Sequence, residues 1–229
     1  MQGVFFDLDG TLLSEEATKG LSRRFFQQFC SSLAGISERT FFIVFRKVNQ
    51  SLYEKLIQGH ISGRELLSQR FQKTLEELEI SDGKNLARKM EQAWDELYYS
   101  HYSLDDQALP VLKALKNRNL TLAIITNGLV DIQIKKIKKF PALHKLLEVI
   151  IISEEYGINK PDPRIFQICL EKTNIVNPKN ALFVGNNLES DIEGAENAGI
   201  RAILFDPLDN YPIYSGEKIK SLSEILLLI

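Results

Sequence analysis

The chain has 229 residues, of which 44% are hydrophobic and 25% are charged. These ordinary globular values exclude a disordered or fibrous protein, and the length predicts one main domain with an insertion. Lysine and arginine total 28 against 30 for aspartate and glutamate, which gives a formal net charge of -2. This balance excludes a global positive field that would recruit nucleic acid or an anionic membrane.

The two cysteines, Cys30 and Cys169, lie far apart and have no C-x-x-C partner. They suggest neither a disulfide framework nor a zinc site, and we expect both to be buried thiols. The first predicted strand begins almost at Met1, and no apolar run approaches the ~20 residues that span a bilayer. We therefore expect a cytoplasmic protein with no signal peptide.

The first predicted element is a short apolar strand from Val4 that ends in the sequence DLDGT at residues 7–11. Residues two apart on an extended chain point the same way, so Asp7 and Asp9 are expected to face one site while Leu8 turns inward. Ligands of open α/β sheets bind at the carboxyl ends of strands, which suits chemistry here. A bare pair of aspartates more often marks an acidic surface turn, but the apolar flanks argue against that alternative.

Residues 14–105 predict an inserted bundle of four helices. Apolar residues recur there at three- and four-residue spacing, which is typical of amphipathic helices. Ser62 and Glu65 form a predicted capping box at the start of the third helix. The predicted helices cover residues 21 to about 35, 37 to 59, 62 to 78, and 86 to 98, with a turn at Asp82-Gly83 before the last.

From Asp105 onward, helices and strands alternate, which predicts right-handed βαβ units around a parallel sheet. The predicted strands cover residues 120–125, 149–152, 181–184 and 201–205, the last of these being the final strand. Helices are predicted at residues 109–115, 132–137, 165–170, 192–198 and 223–228. The predicted fold class is α/β: a Rossmann-like three-layer core with a parallel sheet, formed by residues 1–13 and 106–229, plus the inserted helical bundle.

Three further predicted strand exits carry polar groups suited to phosphate. Thr126 offers a hydroxyl, Asn127 an amide, and Gly128 a backbone N–H that we expect to be open. Lys160 can place a positive charge against a phosphoryl group, and Asp191, in the loop after the next strand, can help to complete a magnesium shell. Each signal alone is typical of an ordinary turn or an exposed loop lysine, so the order of the signals carries the argument.

The sequences DxDGT, TNG, KPDP and GN-x4-DI-x-GA stand in that order along the chain. In order and spacing they resemble the four motifs of the haloacid dehalogenase superfamily, most of whose members are phosphatases. The helical insertion at residues 14–105 resembles the cap of the subfamily that includes phosphoglycolate phosphatases, pyrimidine nucleotidases and 2-haloacid dehalogenases. Residues 151–157 are similar to the nucleotidase-like branch.

The resemblance implies catalytic roles for three residues. Asp7 would be the nucleophile that forms an aspartyl-phosphate, because a carboxylate is ionised at pH 7 and gives a labile acyl phosphate. Asp9 would act first as the acid for the leaving group and then as the base for water. Lys160 would offset the charge that develops on the phosphoryl group.

The resemblance also implies a phosphate site and a Mg²⁺ site. Mg²⁺ prefers oxygen ligands in octahedral geometry. The family's fourth motif usually begins Gly-Asp, whereas this chain has Asn186, whose amide can ligate the ion without adding charge. Asp191 would bind the ion directly or through water. The implied phosphate ligands are Thr126, Asn127 and Gly128, and the implied metal ligands are Asp7, Asp9 through its backbone carbonyl, Asn186 and Asp191.

These features predict a magnesium-dependent phosphatase for a small phosphorylated metabolite that is nucleotide-like or sugar-phosphate-like. One alternative is a catalytically weakened or inactive phosphate-binding protein, for which Asn186 is the support. The other is a 2-haloacid dehalogenase, which is disfavoured because such relatives usually lack an acid at the position of Asp9. We expect no nucleic-acid or membrane partner, and a monomer or a homodimer.

Overall fold

The computed structural model describes residues 1–14, 20–33, 35–80 and 83–229, so the predicted turn at Asp82 lies outside the described residues. The chain divides into two compact units. One combines Met1–Glu15 with Ser103–Ile229, and the other is Glu16–Tyr102. In the described part of the chain, no helix is long and apolar enough to cross a membrane.

In the described residues of the helical unit, four helices enclose an aromatic interior. Ser37 caps the second helix by accepting a hydrogen bond from the Thr40 N–H at 3.1 Å. The predicted capping box of Ser62 and Glu65 is confirmed at the third. Trp94 is partly buried and packs against this interior, with its ring centre 4.9 Å from that of Phe25. The helices are α1 (Leu21–Phe29), α2 (Glu38–Ile57), α3 (Gly63–Glu77) and α4 (Gly83–His101).

A parallel sheet forms the centre of the other unit, as predicted, and six strands are present in its described residues. Its strands lie in the order β3-β2-β1-β4-β5-β6, so β1 is central and its exit is flanked by those of β2 and β4. The strands are β1 (Gly3–Phe6), β2 (Thr121–Thr126), β3 (Val149–Ile152), β4 (Ala181–Gly185), β5 (Arg201–Phe205) and β6 (Lys218–Ile219).

Helices cover both faces of this sheet, so its central strand is buried on both faces. Val4 and Phe6 belong to the apolar core on one face, and Phe5 belongs to the core on the other. This alternation follows from the two-residue period of a strand. The main helices of the unit are α5 (Ala108–Asn117), α6 (Val130–Lys138), α7 (Pro141–His144), α8 (Ser153–Tyr156), α9 (Pro163–Lys172), α10 (Gly194–Asn197) and α11 (Ile225–Leu228).

Several sequence expectations differ from the structure. Helix α1 ends at Phe29 rather than near residue 35. The strand at residues 201–205 is not the last, because the two-residue strand β6 pairs with it. The helix expected at residues 192–198 begins earlier, with a π-helical turn over Leu188–Glu193 that precedes α10. The expectation for Cys30 is wrong, since that thiol is exposed, whereas Cys169 is buried as expected.

Candidate active site

Asp7 lies at the carboxyl end of β1, where the central position of the strand buries it. Its side chain is 10% exposed, and its backbone N–H donates to the Val184 carbonyl at 2.9 Å. The Thr11 hydroxyl lies 3.4 Å from Asp7 Oδ2. The carboxylate is therefore fixed at the strand exit by the neighbouring strand β4 and by its own loop.

Lys160 joins Asp7 to Asp191. Its Nζ donates to Asp7 Oδ1 at 2.6 Å and to Asp191 Oδ1 at 2.6 Å, and its side chain is only 2% exposed. Burial alone would lower the pKa of Lys160, but the two carboxylates outweigh it and raise that pKa. The ammonium group is thus held charged between two acids that are 184 positions apart in the sequence.

The two acids carry more negative charge than Lys160 can balance. Burial raises the pKa of Asp7 from 3.8 to about 7; Lys160 opposes that shift and the charge of Asp191 adds to it. A buried carboxylate with this pKa is incompletely compensated, so a further cation at the same place would stabilise its ionised form.

Asn127 fixes the backbone that carries Lys160. Its Nδ2 donates to the Lys160 carbonyl at 2.9 Å, and its Oδ1 accepts from the Lys160 N–H at 2.9 Å. A side-chain amide that pairs in this way with one peptide group holds the loop against the end of β2. The side chain thereby has a positioning contact, and its role in phosphate binding stays a prediction.

The N–H of Gly128, which we expected to be open, donates to Ser153 Oγ at 3.0 Å. Glycine is required here for two reasons. Its φ of +148° is one that other residues rarely adopt. A Cβ atom at this position would also lie 3.1 Å from the Gln133 side chain. The turn after β2 therefore brings the backbone close to helix α6.

Asp9 is held by two residues of α6 that the sequence reasoning missed. Lys136 Nζ donates to both carboxylate oxygens of Asp9 at 2.8 Å. Gln133 Nε2 donates to Asp9 Oδ2 at 2.8 Å and to the Thr126 hydroxyl at 2.6 Å. Asp9 and Thr126 are thus brought together, although the Asp9 side chain remains 44% exposed.

Asn186 and Asp191 follow β4 at the other side of Asp7. Asp191 is buried, and its Oδ2 accepts from the Asn187 N–H at 3.0 Å. Gly185 permits this approach, because a Cβ there would lie 2.5 Å from Asp191. Asn186, the residue after β4, is half-buried.

Oxygen donors predominate among the predicted metal ligands. Within the described ranges, no group of three or more His, Cys, Asp or Glu side chains is arranged to hold a metal ion. The predicted set instead combines the carboxylates of Asp7 and Asp191 with the amide of Asn186 and the main-chain carbonyl of Asp9. These are the donor types that Mg²⁺ takes, and the uncompensated charge on Asp7 fits a divalent cation.

Comparison with known proteins identifies the family of the chain. The sequence model of the haloacid dehalogenase-like hydrolase family matches residues 1–199. A pyrimidine 5'-nucleotidase of Escherichia coli strain K12 is 30% identical over 197 residues, which cover 86% of this chain and 82% of that protein.

Two solved structures share the fold. The HAD hydrolase YfnB of Bacillus subtilis, solved with bound magnesium, has a TM-score of 0.70 at 24% identity and covers 99% of this chain and 97% of its own. A 2-haloacid dehalogenase of Pseudomonas syringae pv. tomato has a TM-score of 0.72 at 22% identity, covering 100% of this chain and 97% of its own. The family match spans most of the sequence and all four motifs, so the resemblance inferred from those motifs is confirmed. The chain belongs to the haloacid dehalogenase-like hydrolase family.

Proposed function

We propose that this hydrolase is a magnesium-dependent phosphatase that acts on a small phosphomonoester, nucleotide-like or sugar-phosphate-like, through an aspartyl-phosphate on Asp7. The observation that carries the proposal is the buried Lys160, whose ammonium lies 2.6 Å from both Asp7 and Asp191. A cation held beside a nucleophilic carboxylate is placed to reduce repulsion between that carboxylate and an anionic phosphoryl group.

In the first step, a carboxylate oxygen of Asp7 attacks phosphorus and forms a new P–O bond. The ester P–O bond breaks, and its electron pair stays on the leaving oxygen, which takes a proton from Asp9. In the second step, water attacks the same phosphorus, gives a proton to Asp9 and releases phosphate from Asp7. The sum is one ester and one water converted to one alcohol and one phosphate, with both acids restored.

Mg²⁺, when bound, would supply charge stabilisation for the phosphoryl oxygens and for Asp7. The ligands proposed for it are the side chains of Asp7, Asn186 and Asp191 and the carbonyl of Asp9. Lys160 would stay beside the same carboxylates and keep its own charge, because both acids raise its pKa.

The substrate class draws support from the relatives. The Escherichia coli relative is named as a pyrimidine 5'-nucleotidase. A Thermus thermophilus protein named as a phosphoserine phosphatase is 38% identical over 105 residues, though these are only 41% of its length. A phosphorylated metabolite is the ligand class that these names share. The assignment of residues 14–105 as a substrate-selecting cap remains part of the proposal.

The test is phosphate release from a panel of phosphorylated metabolites, with magnesium and with excess EDTA. We expect turnover that requires magnesium and disappears in Asp7→Asn, a nearly isosteric change that removes the nucleophile. Turnover by Asp7→Asn above a no-enzyme control would overturn the nucleophile assignment. Binding of inorganic phosphate without turnover of any ester would favour a non-catalytic protein, and halide release from 2-haloacids would favour a dehalogenase.

A further inference from the structure

Helix α6 turns two polar side chains toward the sheet at positions where apolar residues would be expected. Gln133 and Lys136 are three residues apart and therefore lie on one face of the helix. Gln133 is 1% exposed and Lys136 is 8% exposed, whereas Lys138 on the same helix is exposed. A buried ammonium is costly unless it is paired, so the burial of Lys136 calls for a partner of opposite charge.

That partner is Asp9. Lys136 contacts both of its carboxylate oxygens at 2.8 Å, and Gln133 adds a third hydrogen bond at 2.8 Å. The same Gln133 amide donates to the Thr126 hydroxyl at 2.6 Å. The Asp9 side chain is 44% exposed and lies in a loop, so packing alone would leave it several rotamers. The three contacts select one of them.

We propose that Lys136 and Gln133 are positioning residues that hold the Asp9 carboxyl group at the end of β2, beside Thr126, for proton transfer to the leaving oxygen. The inference rests on the proposed function, in which Asp9 supplies that proton as the ester P–O bond breaks. The two contacts from Lys136 hold the ionised carboxylate of Asp9 through both oxygens. In the protonated form that donates to the leaving oxygen, one oxygen carries the proton and the other still accepts from Lys136. A misplaced acid slows proton transfer far more than it slows substrate binding.

The experiment uses a property that a merely structural role would not change, namely the dependence on the leaving group. The substrates are para-substituted phenyl phosphates from para-nitro to para-methyl, which differ little in shape but strongly in how much the leaving oxygen needs a proton. The quantity measured is kcat/KM, which covers the steps through formation of the aspartyl-phosphate. Asp9→Asn serves as the reference, because it shows how kcat/KM depends on the leaving group when the acid is absent.

We expect Lys136→Met to lose about twofold or less with para-nitrophenyl phosphate and about tenfold or more with the para-methyl ester, within the range that acid catalysis contributes. The matched control is Lys138→Met, which removes an exposed lysine from the same helix and should leave both values unchanged. Lys136→Arg keeps the positive charge and should recover part of the loss with the para-methyl ester.

Gln133→Met serves as an independent second variant, and it should show the same leaving-group dependence in weaker form. If Lys136→Met does not fold, the leaving-group dependence of Gln133→Met and Lys136→Arg tests the positioning role instead. Equal losses for all the esters in the folded variants would overturn the inference and leave the proposed function intact. If the wild type hydrolyses no ester at all, the proposed function fails, and the positioning role fails with it.

Discussion

Replacing Asp7 by asparagine should make the metal-free protein more stable at neutral and alkaline pH. The folded state raises the pKa of Asp7 from 3.8 to about 7, mainly by burial. The folded state therefore binds the Asp7 proton more tightly than the unfolded state does. As the pH rises from about 4 through about 7 that proton is lost, and the free energy of unfolding of the wild type falls. The pKa difference corresponds to roughly 4 kcal/mol once Asp7 is fully ionised, and more than half of it falls between about pH 5 and about pH 8. Asp7→Asn removes the penalty because an amide carries no charge.

The measurement is urea unfolding of the wild type and Asp7→Asn in EDTA at several pH values between these limits. The stability advantage of the variant should grow with pH, and magnesium should reduce it by binding the wild type more tightly than the variant. Asp106→Asn is the control, since Asp106 is an exposed acid of the same unit. An advantage that is independent of pH, or a variant that is less stable at pH 8, would refute the reasoning that Asp7 is incompletely compensated.

Three further changes test other contacts. Asn186→Asp adds a carboxylate next to β4 and should lower the magnesium concentration for half-maximal activity by about tenfold, which is roughly 1.4 kcal/mol of binding free energy. An unchanged magnesium titration would place Asn186 outside the metal shell. Asn127→Ala removes both hydrogen bonds to the Lys160 backbone and should lower kcat by about tenfold or more. A variant with the wild-type kcat in a phosphatase assay would show that these hydrogen bonds do not position Lys160 for catalysis. Arg70→Met breaks the ion pair of Arg70 with Glu91 in the helical unit. It should lower the free energy of unfolding in urea by roughly 2 kcal/mol and leave the magnesium requirement unchanged. A free energy of unfolding equal to that of the wild type would show that the pair contributes nothing.

The parts of the fold that follow from local rules could be predicted from the sequence. The apolar run at residues 149–152 became β3 at the predicted bounds, because a strand covered on both faces needs continuous apolar residues. The capping box at Ser62 formed because its two hydrogen bonds join residues three apart. By contrast, β6 has two residues and is defined only by its pairing with β5, so its own sequence carries no periodic signal.

The sequence predicted which strand exits form the candidate site. It did not predict the hydrogen bonds and ion pairs between side chains within that site. The order of strands brings Asp7, Lys160 and Asp191 together, and the motifs indicate that convergence in advance. The Lys136 contact with Asp9 spans 127 positions, and Lys136 stands in a lysine-rich helix in which Lys135 and Lys138 are exposed. Its burial depends on which face of α6 meets the sheet. The sequence predicted a helix at residues 132–137 and gave no sign that one of its lysines would contact an acid.

The aromatic interior of the helical unit has a spectroscopic consequence. The sequence contains one tryptophan, Trp94, and its ring packs against Phe25 and is stacked 4.4 Å from that of Tyr98. Intrinsic fluorescence excited at the red edge therefore reports the melting of residues 16–102 alone, whereas far-ultraviolet circular dichroism reports both units. Coincident transitions from the two signals would mean that the bundle and the sheet unfold as one cooperative system. An earlier fluorescence transition would show that the bundle melts while the sheet, with Asp7 at the end of its central strand, is still folded.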